Sequence, residues 1–421
     1  MVRSVWGALI TVVFVFVFII LFLNVTPGVT PSPLPSPASN RCSPSLYSTI
    51  NNALPLPVNF CAYGTLPWRN YLGPTPSSTD AANSSIVQTY AVDTAAGAEY
   101  FTTYANSRVD GTGIGGFPVY YAATSDPAVY INCSSGSVQY GCTLGSRTAG
   151  PTRTVITSSS YGPFNIPAQA RPGSTNSKNS GDENLTIIQP ARGRYPGLAV
   201  NLYFTGCNQW SNWTNSDIVG TNVCSGSFVG ASFSNVATDN GVNPGNIDGG
   251  DDFAAIIPHY NEVVTTGVIN HALELRVSCV ARPPGRFPGT TAEVCNSGGL
   301  IAGAHIHLRR THAQMDTIGA SITNYSYLKP FYYALIDYGG FVLDTSGPSN
   351  SYKFVGPISI EDASVWLRSG GSNPWVAWFN AQGAPSYNNA NGAYFYDKVN
   401  FFAPIASYLE VLAPCHDVGT C

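Results

Sequence analysis

Two histidines in a short apolar run have a spacing that fits metal chemistry. Gly299, His305 and His307 form the pattern G-x5-H-x-H, the opening of a strand-borne metal motif. Alternation along a strand would place both imidazoles on one face, as two ligands of one metal require. The Glu that should follow is missing, and the nearest acid is Asp316. A polar sheet face is the alternative, so we predict no metal here and keep the three residues as a weak candidate.

A loop rich in Gly, Asn and Asp is a candidate calcium site. It spans residues 237–252 and carries the carboxylates Asp239, Asp248, Asp251 and Asp252. Hard oxygen ligands suit Ca²⁺, but the loop lacks the terminal Glu of a helix-loop-helix calcium site. The same composition is typical of turns. We therefore predict no cofactor, with Ca²⁺ as the alternative.

Acid–base catalysis has candidate groups but no marked pair. A glycoside hydrolase needs two carboxylates about 5–10 Å apart. The candidates are scattered at Glu262, Glu274, Asp337, Asp344, Glu361 and Asp397. No G-x-S-x-G nucleophile motif occurs, and His271 in INHALELRV is more typical of a satisfied buried histidine than of a base. We predict no catalytic residue and lean against an enzyme.

The aromatic residues give a hint of binding. Four tryptophans lie among Asn, Ser and Gly, where exposed rings would stack on sugars: Trp210, Trp213, Trp375 and Trp378. Aromatic residues of β folds are more often core, which is the competing interpretation. Glycans are therefore a candidate partner.

Asn-x-Ser/Thr sequons are no more frequent than the composition predicts. Beyond Asn24, the candidate glycosylation sites are Asn83, Asn132, Asn184, Asn212 and Asn324. Their number alone is no sign of a glycoprotein, although single sites are usable in an exported chain.

The elements that must position these residues are mainly strands. Short runs rich in Val, Ile, Tyr, Phe and Thr alternate with Gly, Pro, Asn and Ser clusters, which is typical of a sandwich or barrel. The predicted strands lie at 86–92, 117–123, 128–133, 184–189, 198–204, 272–280, 304–310, 340–345 and 352–356. Two helices are predicted, at 326–338 before Gly339 and at 359–370 with Ser359 as the N-cap.

Composition supports this fold class. Of 421 residues, 12% are aromatic and only 10% are charged, against about 25% charged in average domains. The chain is too apolar for disorder and, at net charge −4, lacks the basic field that nucleic acids need. We predict a mainly β fold, resembling a β-sandwich or jelly roll with a few short helices. Some 360 residues is large for one sandwich, so two fused β subdomains are an alternative.

The N-terminus predicts export. The apolar run Val5–Leu23 nearly crosses a hydrocarbon core of about 30 Å. It is an uncleaved signal anchor or a cleaved signal peptide, and Arg3 before it places the remainder of the chain outside the cell. We divide the chain into this segment (1–24), a stalk rich in Pro, Ser and Thr (25–60) and an extracellular β domain (61–421).

Cysteine usage agrees with an oxidising compartment. An even count of ten in an exported chain predicts disulfides. Connectivity cannot be deduced, but pairing of neighbours gives Cys42–Cys61, Cys133–Cys142, Cys207–Cys224, Cys279–Cys295 and Cys415–Cys421. The C-x2-4-C spacing of thiolate metal sites does not occur.

Several segments occur in a familiar order. With INHALELRV (269–277), GFPVYYA (116–122) and ALIDYGGFVLDTSG (334–347), the chain resembles a widespread family of secreted β-rich proteins of mostly uncharacterised function. The resemblance implies an extracellular location and a single fold from about 62 to 413. It transfers no catalytic residue, and it excludes the anchor and the stalk.

These observations lead to one expectation and one alternative. A surface of Ser, Thr, Asn, Gly and Tyr with few charges does little to keep copies of the chain apart. We expect a non-enzymatic extracellular structural or surface glycoprotein whose main partner is itself, in a coat, wall layer or filament. The membrane is a partner if the anchor is retained. The alternative is a secreted carbohydrate-binding protein or glycoside hydrolase.

Overall fold

The computed structural model describes most of the chain beyond residue 66. The described ranges are 67–94, 100–105, 118–134, 141–144, 154–171, 182–189, 198–205, 212–219, 227–235, 253–281, 285–289, 295, 298–323, 325–345, 354–361, 374–383, 386–388, 394–398 and 401–421. They fall within one compact unit, residues 42–421. The predicted anchor and stalk lie outside these ranges.

The described strands form three mixed sheets. They are β1 Tyr100–Ala105, β2 Val119–Tyr121, β3 Ala128–Ile131, β4 Gly141–Leu144, β5 Thr154–Ile156, β6 Tyr161–Asn165, β7 Asp182–Gln189, β8 Leu198–Thr205, β9 Ile218–Val219, β10 Ser227–Asn235, β11 Leu273–Val277, β12 His305–Leu308, β13 Gly340–Thr345, β14 Phe354–Ser359, β15 Ser386–Asn388, β16 Tyr394–Lys398 and β17 Leu409–Val411. The chain is therefore β-rich, as predicted.

Short helices accompany the strands. The α-helices are α1 Ala81–Thr94, α2 Phe253–Ile256, α3 His312–Gly319, α4 Tyr325–Asp337 and α5 Pro374–Ala381. A π-helix spans Asn261–Thr266, and 3₁₀ turns span Ala403–Tyr408 and Pro414–His416. Among the described residues, no helix combines the length and the apolarity that crossing a membrane requires.

The large sheet has eight strands in the order β15-β16-β1-β14-β11-β13-β12-β17. Strands β11 and β13 are parallel, and helix α4 leads into β13 through Gly339. Gly339 has a φ of +73°, and a Cβ there would collide with the ring of His305. Glycine is required for both reasons. The helix predicted at 326–338 and the strand predicted at 340–345 are thus confirmed.

The smaller sheets share a second core. One has six strands in the order β2-β7-β8-β10-β4-β5, and the other has three in the order β6-β3-β9. Apolar residues of both sheets, among them Phe233, Phe164 and Ile131, form one buried cluster. A further cluster joins Ile188 and Ala199 of the six-stranded sheet to residues of the large sheet.

The strand predicted at 86–92 is wrong, because this segment belongs to helix α1. Its Ile, Val, Thr and Tyr residues favour strands as single residues. The spacing of Val87, Tyr90 and Ala91 is instead the i, i+3, i+4 pattern of a helix face, and all three are buried in the core over the large sheet. Asp80 caps the helix by accepting a hydrogen bond from the Asn83 amide at 3.1 Å.

Other local predictions have mixed outcomes. The disulfides Cys133–Cys142, Cys279–Cys295 and Cys415–Cys421 are present as predicted. The pairings of Cys42 with Cys61 and of Cys207 with Cys224 lie outside the described residues. Ser359 ends strand β14 and does not begin a helix, and residues 362–370 of that predicted helix are not described.

Candidate functional site

Strand β12 places two histidines in the interior. His305 and His307 are both fully buried, as alternate residues of one short strand that pairs with β13 and β17. Each imidazole contacts a carboxylate from the C-terminal segment on one side and a backbone carbonyl on the other. The two rings therefore fasten the end of the chain to the large sheet.

The His307–Glu410 pair has no net charge. His307 Nε2 lies 2.9 Å from the Gly73 carbonyl oxygen and 3.0 Å from that of Ile336, so Nε2 must carry a proton and donate it. His307 Nδ1 lies 3.0 Å from Glu410 Oε1. A hydrogen bond there needs one further proton, on the ring or on the carboxyl group. In either position, the charges of the pair sum to zero.

His305 is held in the same manner. Its Nε2 donates to the Tyr338 carbonyl oxygen at 2.8 Å, and its Nδ1 lies 3.0 Å from Asp417 Oδ1. Arg286 Nη2 lies 3.0 Å from the other oxygen of Asp417. All four nitrogens of the two β12 histidines are thus engaged by protein oxygens. In this arrangement neither ring offers a free lone pair to an ion, which favours the polar interpretation over the weak metal alternative.

Asp316 belongs to a different cluster, between helices α3 and α4. It accepts hydrogen bonds from Tyr325 at 2.8 Å and Tyr333 at 3.0 Å, and its carboxylate lies 2.8 Å from Lys329 Nζ. Partial burial opposes ionisation, but these donors lower the pKa of Asp316 below its ordinary value. This carboxylate links helices α3 and α4. No described contact joins it to His305 or His307.

An open cleft lies beside the His307–Glu410 pair. It has a volume of about 470 Å³ and is lined by Thr79, Ala81, Ser84, Gln88, Arg309, Arg310, Ser407, Tyr408, Leu409 and Glu410. We call it the Tyr408 cleft. Its volume is in the range of about 300–1,000 Å³ that small-molecule sites occupy.

Helix α1 forms one wall of the cleft and closes the outer edge of β17. Ala81, Ser84 and Gln88 are spaced to lie on one helix face. Gln88 Nε2 donates to the Leu409 carbonyl at 3.0 Å, and Ser84 Oγ accepts from the Val411 amide at 2.9 Å. Side chains thereby satisfy a strand edge that would otherwise present unpaired backbone groups.

Two arginines and a tyrosine also line the cleft. Arg309 and Arg310 follow β12 directly, and helix α3 begins after them with a capping box between Thr311 and Gln314. The Arg310 guanidinium carbon lies 3.4 Å from the centre of the Tyr408 ring, a cation–π contact. The Arg309 side chain is 63% exposed, and its Nη1 lies 3.8 Å from Glu410 Oε2.

A second buried cluster surrounds the π-helix. His271 Nε2 lies 3.1 Å from Glu262 Oε2, and both residues are buried. Burial alone would raise the pKa of Glu262, but the charge and hydrogen bond of His271, with a contribution from His259, lower it to about 2. His271 is therefore a satisfied buried histidine, as the sequence predicts. Glu361 lies 3.5 Å from His259 on the far side of this cluster.

The remaining candidate carboxylates do not form a catalytic pair in the described part of the chain. Glu274 is buried on β11, 3.6 Å from Arg276, and Asp337 lies 3.1 Å from His312. Among the described residues that line the Tyr408 cleft, Glu410 is the one carboxylate. The structure does not describe the side chains of Asp344 and Asp397. It also does not describe the candidate calcium ligands Asp239, Asp248, Asp251 and Asp252.

The tryptophans are mainly core residues. Trp213 and Trp375 are 1% and 0% exposed, so neither ring has a face for a sugar and the predicted stacking does not hold for them. Trp213 Nε1 donates to the Ala170 carbonyl, and Trp375 Nε1 donates to that of Glu361. Trp378 is half-buried against the same core as Trp375. Trp210 is not described.

Burial separates the candidate glycosylation sites. Asn184 is 5% exposed on β7, and Asn83 is 9% exposed with its amide donating to Asp80. A glycan on either would require the folded segment to open. Asn212 is exposed, and Asn132 is half-buried in a turn that its side chain closes with Ser134. Asn324 lies outside the description. Glycosylation stays a prediction, with Asn212 favoured by exposure.

Comparison with known proteins adds no assignment: no family model, curated protein or solved structure matches this chain. The sequence did not predict the Tyr408 cleft. The segments that form it contain ordinary surface residues, and Gln88 meets Leu409 across 321 positions of the chain.

Proposed function

We propose that this chain is an extracellular carbohydrate-binding protein and that the Tyr408 cleft is its binding surface. The observation that carries the proposal is the composition of the cleft wall. An aromatic ring and a guanidinium group lie against each other, and Gln88, Ser84 and Thr79, which carry amide and hydroxyl groups, line the same cleft. Sugars combine apolar C–H faces with hydroxyl groups, so a site for them needs both features.

Binding is better supported than cleavage. Hydrolysis of a glycosidic bond uses two carboxyl groups in most glycosidases, whereas the described lining of the cleft offers Glu410 alone. Glu410 is also engaged by His307 at 3.0 Å. The extracellular location belongs to the proposal and is supported by the three disulfides, which persist in oxidising compartments.

The test is calorimetric titration of the full-length chain, kept in a mild detergent, with a panel of oligosaccharides. A Tyr408→Ala variant should lose about five- to tenfold in affinity, because it removes the aromatic wall. Tyr71→Ala is the matched control, since Tyr71 is 41% exposed and does not line the cleft. Binding that survives Tyr408→Ala unchanged, or binding to none of the sugars, would refute the proposal.

Self-assembly is the second candidate function, and strand β5 favours it. β5 ends the six-stranded sheet, and Val155 at its centre is 54% exposed. Strand edges are templates for pairing with another copy. We expect filaments or sheets in electron micrographs of the native material and their loss in Val155→Lys. A monodisperse monomer in light scattering would contradict this candidate.

The β-sandwich or jelly-roll arrangement is also a proposal, supported by the core that the two smaller sheets share.

A further inference from the structure

We infer that the Tyr408 cleft selects acidic glycans, whose sugars carry carboxylate or sulfate groups. This inference rests on the proposed function and concerns the charge of the ligand. Three observations support it: the net charge of the cleft, the exposure of Arg309 and the orientation of helix α1.

The lining of the cleft, taken together with the buried His307, has a net charge of +2. Its charged members are Arg309, Arg310 and Glu410. Glu410 shares a proton with the buried His307, and that pair has no net charge wherever the proton lies. The two guanidinium groups are thus left without a full counter-charge, although the chain as a whole has a net charge of −4.

Arg309 is available to a ligand. Its side chain is 63% exposed, and the 3.8 Å separation from Glu410 is too long for a hydrogen bond. Arg310 Nη1 donates to the Arg309 carbonyl at 2.8 Å and the same guanidinium group contacts the Tyr408 ring, so its position in the cleft is fixed. Guanidinium groups bind carboxylates and sulfates through paired N–H donors, and such charge-assisted bonds are about twice as strong as neutral ones.

Helix α1 adds to this field. Its first turn lines the cleft, and the positive end of a helix dipole favours anions there. Asp80 offsets part of this effect, because its carboxylate caps the helix through Asn83. The two arginines therefore supply the greater part of the attraction.

The experiment compares acidic probes with neutral counterparts on the full-length chain. The probes are tetragalacturonate with its methyl ester, and a sulfated tetrasaccharide with its desulfated form. We expect at least one acidic probe to bind about tenfold or more tightly than its counterpart, with the difference shrinking as salt is added. Arg309→Gln and Arg310→Gln should abolish most of that preference. Lys329→Gln, which removes an exposed charge outside the cleft, should not.

The outcomes separate the two proposals. Equal binding of acidic and neutral probes would overturn the charge inference and leave carbohydrate binding in place. A preference that persists in both arginine variants would also overturn it, since the charge would then act elsewhere. Binding of no probe, acidic or neutral, would refute both. Arg309→Gln keeps the test independent of folding, because this side chain makes only a surface contact.

Discussion

The eight-stranded and six-stranded sheets treat their buried polar groups differently. In the six-stranded sheet, a row of neutral residues, Thr186, Asn201, Ser232 and Thr143, crosses four neighbouring strands with at most 3% exposure. In and beside the large sheet, many of the buried polar groups are ionisable, among them Glu262, His271, His305 and His307. All six histidines lie between positions 259 and 416. We therefore expect the pH dependence of stability to come mainly from the large sheet, and we call the core of the six-stranded sheet, with its row of neutral polar residues, the neutral scaffold.

The largest effect is expected in the neutral part. Phe233→Ala removes a fully buried ring that stacks on Phe164 at 5.0 Å and meets Tyr161 edge-on at 4.9 Å. The cavity should cost about 3–5 kcal/mol of unfolding free energy. Because the neighbouring rings do not ionise in acid, the cost measured by urea denaturation should be equal at pH 4 and pH 7. A cost that changes with pH would break the comparison.

Glu262, a buried carboxylate beside the large sheet, should contribute stability that does depend on pH. The pKa of Glu262 is lowered from 4.5 to about 2 in the folded state, which corresponds to about 3 kcal/mol of stability. A lowered pKa stabilises the fold above the unfolded value near 4.5, and the stabilisation is lost as the pH falls towards 2. Glu262→Gln should therefore destabilise the protein by about 3 kcal/mol at pH 7 and progressively less in acid.

The matched control is Asp316→Asn, the corresponding change on a carboxylate that is 42% exposed. Surface ion pairs contribute about 0–1 kcal/mol, so its effect should be small at every pH. A pH-independent cost for Glu262→Gln, or equal costs for both variants in urea titrations, would show that burial is not what distinguishes the two sites.

The disulfide Cys133–Cys142 tests the scaffold again. It links the end of β3 to β4 across a sequence separation of nine residues. Replacing both cysteines by serine should cost about 2–3 kcal/mol, through the freed entropy of the unfolded chain. Thermal unfolding at pH 5 and pH 7 should give the same loss. A loss confined to one pH would mean that this part of the molecule is not neutral.

The smallest stability effect is expected at the cleft. Arg309→Gln removes an exposed side chain with one distant partner, so the unfolding free energy should change by less than about 0.5 kcal/mol. Circular dichroism melting curves should superimpose on those of the unchanged protein. A marked destabilisation would mean that the arginine serves the fold and not a ligand.

The sequence predicted those elements whose structure is determined by residues close together along the chain. Helix α4 and strand β13 were readable because Gly339 separates a helical period from an apolar run. Helix α1 was misassigned, because its strand-favouring residues outweighed the i, i+3, i+4 spacing that packs it on the large sheet. The partners of His305 and His307 lie more than 100 positions away, at Asp417 and Glu410. No local sequence pattern predicts such long-range contacts.

The central claim is that ligands bind at the Tyr408 cleft and not on the scaffold. Hydrogen–deuterium exchange of the full-length chain, with and without a bound oligosaccharide, tests it directly. We predict slowed exchange in peptides that cover 79–88 and 407–411, with no change in strands β8 and β10 of the six-stranded sheet. Protection that appears in β8, β10 or β5 and is absent from the cleft peptides would contradict the claim.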